Sequence, residues 1–222
     1  MEKVAFIFDL DGVIVDTAKY HYLAWRKLAN KLGFDFSKEQ NELFKGVSRK
    51  RCLEILLDIG KIKATQEQFD KWMIDKNVDY LAYIEKMDAK EILPDVPRVL
   101  NYLKKKNIPI ALGSASKNAR PILEKVNLLS YFNTIVDGNS VTKAKPDPEV
   151  FLIAANNLGV NASSCVVFED AVAGIQAANR AKMTSIGIGD SNILDEADYN
   201  FKDFTEISDS FLESLLNNNQ NI

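Results

Sequence analysis

Short, largely apolar runs recur along this chain at residues 4–8, 108–112, 134–136, 165–168 and 184–188. They do not alternate polar with apolar residues, as strands covered on both faces need not. Between the later runs lie amphipathic helical patterns at about 96–106, 118–126, 148–158 and 171–181. Strand followed by helix, repeated, predicts an α/β fold: a Rossmann-like parallel sheet with helices on both faces.

One stretch breaks the alternation. Residues 17–87 carry only helical patterns. Residues 17–32 are amphipathic, Ser48 is placed to cap a helix running to residue 59, and Thr65 with Gln68 forms a capping-box pattern before a helix that passes Trp72. An all-helical block after the first strand predicts an inserted helical cap. The expected division is 1–15 and 88–222 for the α/β core and 16–87 for the cap, with hinges at both crossings.

A chain of 222 residues suffices for a core plus a small insertion. The net charge of −3 supplies no basic field for nucleic acid. The first apolar run stops at Asp9, too short for a signal or a membrane span. Cys52 and Cys165 make no disulfide framework and suit a reducing compartment. The expectation is a cytoplasmic monomer with neither nucleic-acid nor membrane partners, and the polar residues 217–222 are expected to fray.

Chemistry concentrates at the ends of the expected strands, where open parallel sheets bind ligands. The first run ends in Asp9-Leu10-Asp11-Gly12-Val13. Two close carboxylates call for a cation or a shared proton, although an Asp-Gly turn is an equal alternative from these five residues alone. Ser114-Ala115-Ser116-Lys117-Asn118 follows the second run. It offers hydroxyls and a helix start to an anion, or simply caps that helix. Lys145 precedes a proline-led helix and could be a solvated charge. Glu169-Asp170 ends the fourth run as a hard-cation pair, or as charge at a helix N-terminus. Four such coincidences at strand ends favour one site.

In order and placement, Asp9-Leu10-Asp11-Gly12-Val13, Ser114, Lys145 and Glu169-Asp170 resemble the four motifs of the haloacid dehalogenase superfamily, and the helical block resembles that superfamily's α-helical cap. Residues 16–21, 45–49, 75–77, 114–118 and 168–171 are similar to sugar-phosphate mutases within it. Ala171, Gly113, Ala144 and Arg51 depart from the usual serine, alanine, serine and acidic residue.

The resemblance implies Mg²⁺ as cofactor, held by Asp9, Asp11 through its carbonyl, and Asp170, with Glu169 in support. It makes Asp9 the phosphoryl-accepting nucleophile and Asp11 the general acid and base. Ser114, Ala115 and Lys145 are then placed around the reacting phosphate. Ser116, Lys117, Asn118 and Arg49 are placed at a second, distal phosphate. Gly46, Val47 and Ser48 form a loop over a sugar that Trp25 contacts. Thr17 and His21 sit at the hinge, where closure brings His21 and Lys76 towards Asp11. Thr17, His21 and Trp25 also share a helix face with Leu28 and Leu32, which is the spacing of plain core packing. The implied substrate is a small sugar phosphate. The implied activity is a phosphomutase working through an aspartyl phosphate and a bisphosphate, with a small-molecule phosphatase as the alternative.

Overall fold

The computed structural model describes residues 3–44 and 47–218. Its first strand, β1 (Ala5–Phe8), is followed by four helices: α1 (Ala18–Lys31), α2 (Lys38–Asn41), α3 (Arg49–Ile59) and α4 (Gln66–Ile84). Then come α5 (Val96–Lys105), β2 (Ile110–Gly113), α6 (Ala119–Lys125), β3 (Thr134–Val136) and α7 (Glu149–Leu158). The chain closes with β4 (Cys165–Glu169), α8 (Val172–Arg180), β5 (Thr184–Ile188), β6 (Tyr199–Phe201) and α9 (Asp209–Asn218).

The strands form one parallel sheet in the order β3-β2-β1-β4-β5-β6. Alternation within β1 explains its double cover. Phe6 and Phe8 join a core with Val99, Leu103, Ile122 and Leu215 from α5, α6 and α9. Ala5 and Ile7 face a second core with Phe151 and Ala154 of α7 and Ala177 of α8. Phe8 stacks on Phe168 at 4.7 Å between ring centroids, and Phe168 stacks on Phe204 at 5.5 Å. The register pairs Phe8 with both Leu112 and Phe168, so the ends of β1, β2 and β4 lie side by side. The strand order reverses between β1 and β4, the place where such sheets open a crevice.

Ser48 caps α3, accepting from the Arg51 N–H, and Thr65 with Gln68 forms the expected capping box on α4. A second capping box, Ser37 with Gln40 on α2, was not anticipated from the sequence. The helical block has its own core of Trp25, Leu28, Phe36, Phe44, Leu53 and Leu56, while Tyr80 and Ile84 of α4 pack into the core that holds Phe8. The two crossing segments pair with each other: the Asp16 N–H donates to the Glu91 carbonyl at 2.8 Å, and the Leu93 N–H to that of Ile14 at 3.0 Å. Lys19 and Tyr20 both grip the Glu91 carboxylate beside them. Strand β6 and helix α9 extend the fold beyond the elements expected from sequence. Among the described residues, no helix is long and apolar enough to cross a membrane, and Cys52 and Cys165 are buried free thiols.

Candidate active site

At the end of β1 the Asp9 N–H still donates to the Phe168 carbonyl (3.0 Å), which keeps its side chain at the sheet's edge. The chain then folds back sharply, with Ile14 and Val15 both donating to the Leu10 carbonyl. Gly12 makes this possible in two ways. Its φ is +83°, and a Cβ there would lie 2.2 Å from Asp170 Oδ2. The turn and the approach of Asp170 therefore need the same glycine.

Lys145 is buried and its ammonium donates to Asp9 Oδ1 (2.7 Å), the Gly113 carbonyl (3.0 Å) and Glu169 Oε1. Burial alone would lower its pKa, but the two carboxylates outweigh that and hold it above its ordinary value. The Phe151 ring lies 4.8 Å from the ammonium. A Cβ on Gly113 would meet that ring at 2.9 Å, which gives a physical reason for glycine at this position. Glu169 is 1% exposed and also accepts from the Asp170 and Ala171 N–H groups. Its carboxylate rests against the backbone of Gly174 on α8, where a Cβ would fall 1.9 Å from Glu169 Cδ. Sequence reasoning missed Gly174. No periodicity signals a contact made by two elements in space.

Carboxylate oxygens of Asp9, Glu169 and Asp170 all lie within 4.8 Å of one another. Asp9 and Asp170 can supply the one or two carboxylates that Mg²⁺ usually takes, with Glu169, held by Lys145 and the Asp170 and Ala171 N–H groups, in support.

Asp11 accepts a short hydrogen bond from Thr17 Oγ1, and His21 Nε2 lies 3.8 Å from the same oxygen. Burial, and then the charge of Asp9, push the Asp11 carboxyl up to about 6. A carboxyl poised there can both give and take a proton near neutrality. His21 Nδ1 is 3.0 Å from Lys76 Nζ, and the imidazole is held well below its ordinary pKa by burial and then by Lys76 and Arg49. Lys76 is 1% exposed, with Nζ 4.5 Å from the Trp25 ring and 4.8 Å from that of Tyr80. Burial and then Arg49 push its ammonium down to about 7.

One cavity of about 520 Å³ joins these groups. Its core wall includes Asp9, Asp11, Ser114, Lys145 and Asp170, with Ala115, Ser116 and Lys117 beside them. Its helical wall includes His21, Trp25, Val47, Ser48, Arg49 and Lys76. Thr17 and Glu169 stand behind the wall, against Asp11 and Lys145. Asn118 is not part of it: its Nδ2 donates instead to Asn77 Oδ1 on α4, at 3.2 Å. The Ser114 and Ser116 hydroxyls accept from the N–H groups of Ser116 and Asn118, so they shape this loop as well as facing the cavity. Gly46 lies outside the described residues. Asn41, Phe44 and Gly138 also line the cavity and were not foreseen.

A family model of haloacid dehalogenase-like hydrolases matches residues 4–182. The chain is 42% identical over 196 residues to the β-phosphoglucomutase of Bacillus subtilis, covering 87% of each protein. It is 32% identical over 184 residues to the phosphorylated carbohydrates phosphatase of Thermotoga maritima, covering 82% of this chain and 83% of that one. The crystal structure of β-phosphoglucomutase from Clostridium difficile matches with a TM-score of 0.93 and 39% identity, over 98% of this chain and 99% of that one. With a parallel six-stranded sheet, an inserted helical block and a family match across most of its length, the chain belongs to the haloacid dehalogenase-like hydrolases.

Proposed function

We propose that this enzyme is a magnesium-dependent phosphomutase that interconverts β-glucose 1-phosphate and glucose 6-phosphate through an aspartyl phosphate and glucose 1,6-bisphosphate. One observation carries the reading: a single cavity is walled both by Asp9 and Asp11 and by the cationic Arg49 and Lys76 of the helical block. Hydrolysis of a monophosphate requires no second phosphate site. A mutase must also hold the phosphate that is not reacting, and arginine's planar fork suits it.

In this mechanism phosphorylated Asp9 passes its group to the free hydroxyl of the sugar phosphate while Asp11 takes that hydroxyl's proton. The bisphosphate turns over. Asp9 then attacks the other phosphorus, and Asp11 returns the proton to the leaving oxygen. Lys145 and Ser114 bind the transferring oxygens, and Arg49 with Ser116 and Lys117 holds the distal phosphate. Asp9, Asp170 and the Asp11 carbonyl, with Glu169 in support, would hold Mg²⁺, which would neutralise charge between carboxylate and phosphate. Residues 16–87 act as a cap that closes about the crossings at Asp16 and Glu91 and excludes water from the aspartyl phosphate. The same reading takes the enzyme as a cytoplasmic monomer.

The resemblance to the Thermotoga phosphatase supports a second reading, hydrolysis of a small sugar phosphate. A coupled assay separates the two. Given β-glucose 1-phosphate, Mg²⁺ and catalytic glucose 1,6-bisphosphate, a mutase yields glucose 6-phosphate with little free phosphate. Stoichiometric phosphate release without dependence on the bisphosphate overturns the mutase reading. Asp9→Asn should abolish both products, because an amide is a poor nucleophile.

A further inference from the structure

We infer that Asn41 reads a hydroxyl group of the substrate's sugar ring, which rests on the proposed function and narrows its substrate class to polyhydroxylated phosphates. Asn41 is the last residue of α2 and is nine-tenths buried. It lines the cavity on the helical wall beside Trp25, Phe44 and Ser48. Its Oδ1 is one of three buried side-chain oxygens without a hydrogen-bond partner among the described residues, the others being Tyr80 Oη and Asn200 Oδ1. Of the three residues, Asn41 alone lines the cavity.

Buried polar atoms are nearly always paired, so an orphan oxygen on a residue that lines the cavity points to a partner that arrives with the ligand, reached by a small turn of the Asn41 side chain. Neighbouring side chains do not meet the need. Trp25 and Phe44 pack edge to face at 5.5 Å, and Ser48 Oγ accepts from the Arg51 N–H in capping α3 without its hydroxyl reaching Oδ1. The chemistry of the orphan selects its partner. A carboxamide oxygen is a neutral acceptor, so it repels phosphate oxygens and a substrate carboxylate alike and accepts from an O–H donor. Anion recognition is left to Arg49, Lys76 and Lys145. A sugar hydroxyl satisfies Oδ1, and phosphoglycolate, whose far end is a carboxylate, does not.

The test compares kcat/KM for β-glucose 1-phosphate with that for its 2-, 3- and 4-deoxy derivatives, each with Mg²⁺ and bisphosphate primer. Consumption of sugar phosphate is followed, so the ratios can be read whether the product is a hexose 6-phosphate or free phosphate, and the mutase reading stands or falls separately on which product forms. In the wild type, one deoxygenation should cost about 5–150-fold, the usual effect of leaving a buried acceptor unpaired. In Asn41→Leu and Asn41→Ala that penalty should shrink to within about 2-fold, while penalties at the other positions persist. In Asn41→Asp, which keeps an acceptor oxygen, it should remain. Ratios are taken within each variant, so a general loss of activity cancels. Because Oδ1 has no partner in the free chain, Asn41→Leu should melt no lower than the wild type. The inference is overturned if the wild type is indifferent to every deoxygenation, or if the penalties are the same with and without the Asn41 oxygen. It also falls if both apolar variants lose thermal stability and activity evenly across all four sugars, since Asn41 would then serve only the fold.

Discussion

The seat of Glu169 makes the proposed metal site unusually sensitive to one methyl group on α8. Gly174→Ala would place a Cβ 1.9 Å from Glu169 Cδ and 2.1 Å from Oε1, whereas real Cβ contacts essentially never fall below 3.0 Å. Either the carboxylate or the helix must therefore give way by about 1.1 Å or more. Glu169 cannot retreat freely, because it is held by Lys145 and by the N–H groups of Asp170 and Ala171. Magnesium tolerates little displacement, with ligand distances of about 2.0–2.1 Å in a near-ideal octahedron. Loss of a supporting contact at a metal site typically costs about 10–100-fold in affinity, and overpacking costs about 1–3 kcal/mol in stability. At about 2–4 °C per kcal/mol for a chain of this size, the melting temperature should fall by several degrees. Calorimetric titration of Mg²⁺ into the wild type, Gly174→Ala, Glu169→Asp and Gly174→Ala/Glu169→Asp measures the first effect directly. Aspartate is one methylene shorter and makes room, so the double variant should bind Mg²⁺ better than Gly174→Ala alone. Affinity within about 2-fold of wild type in Gly174→Ala would refute the reasoning. So would a double variant whose losses simply multiply, since the side chains would then not be competing for the same space.

Lys76→Met should raise stability in a pH-dependent way. The ammonium titrates near 7 when folded and near 10.5 when unfolded, so the unfolded chain holds more protons between those values and wild-type stability rises with pH across that window. The burial penalty is complete below pH 7, at most about 5 kcal/mol from 1.36 kcal/mol per pKa unit. The melting-temperature advantage of Lys76→Met should be greatest there and fade towards pH 10, and a constant difference would mean that Lys76 is not a buried cation. Arg49→Ala should cut flux from β-glucose 1-phosphate about 10–150-fold, the worth of a charge-assisted contact, and slow acetyl phosphate hydrolysis less. Equal losses would assign Arg49 to the fold or the metal site. Asp11→Asn should slow phosphoryl transfer by about 10²–10⁴ while Mg²⁺ affinity survives; collapse of that affinity with an unchanged chemical step would make the side chain a metal ligand.

What could be read from the sequence was whatever is written along one dimension. β1, β2 and β4 are buried along their whole lengths, so their apolar runs announced them. The capping box at Thr65 and Gln68 is a local bargain between neighbours and was equally visible. β6 was not, because it is a three-residue edge strand with Asn200 at its centre and no fully buried position. Helix α9 carried a usable signal, since Leu212, Leu215 and Leu216 recur at helical spacing and are buried; it takes in Asn217 and Asn218, the start of the polar stretch expected to fray, while residues 219–222 lie outside the described residues. The site divides in the same way. Acidic and basic residues at strand ends follow from parallel topology, which gathers those ends on one side of the sheet. Gly174 under Glu169, Phe151 under Lys145 and Asn77 against Asn118 arise only when separate elements meet. Asn118 shows the consequence. A motif position names a residue but does not aim it, and here the carboxamide is turned towards α4 rather than into the cavity. Under the proposed mechanism Asn118 would reach the distal phosphate only by giving up Asn77 of α4, so affinity for that phosphate and closure of the helical block would be coupled rather than separate properties of the site.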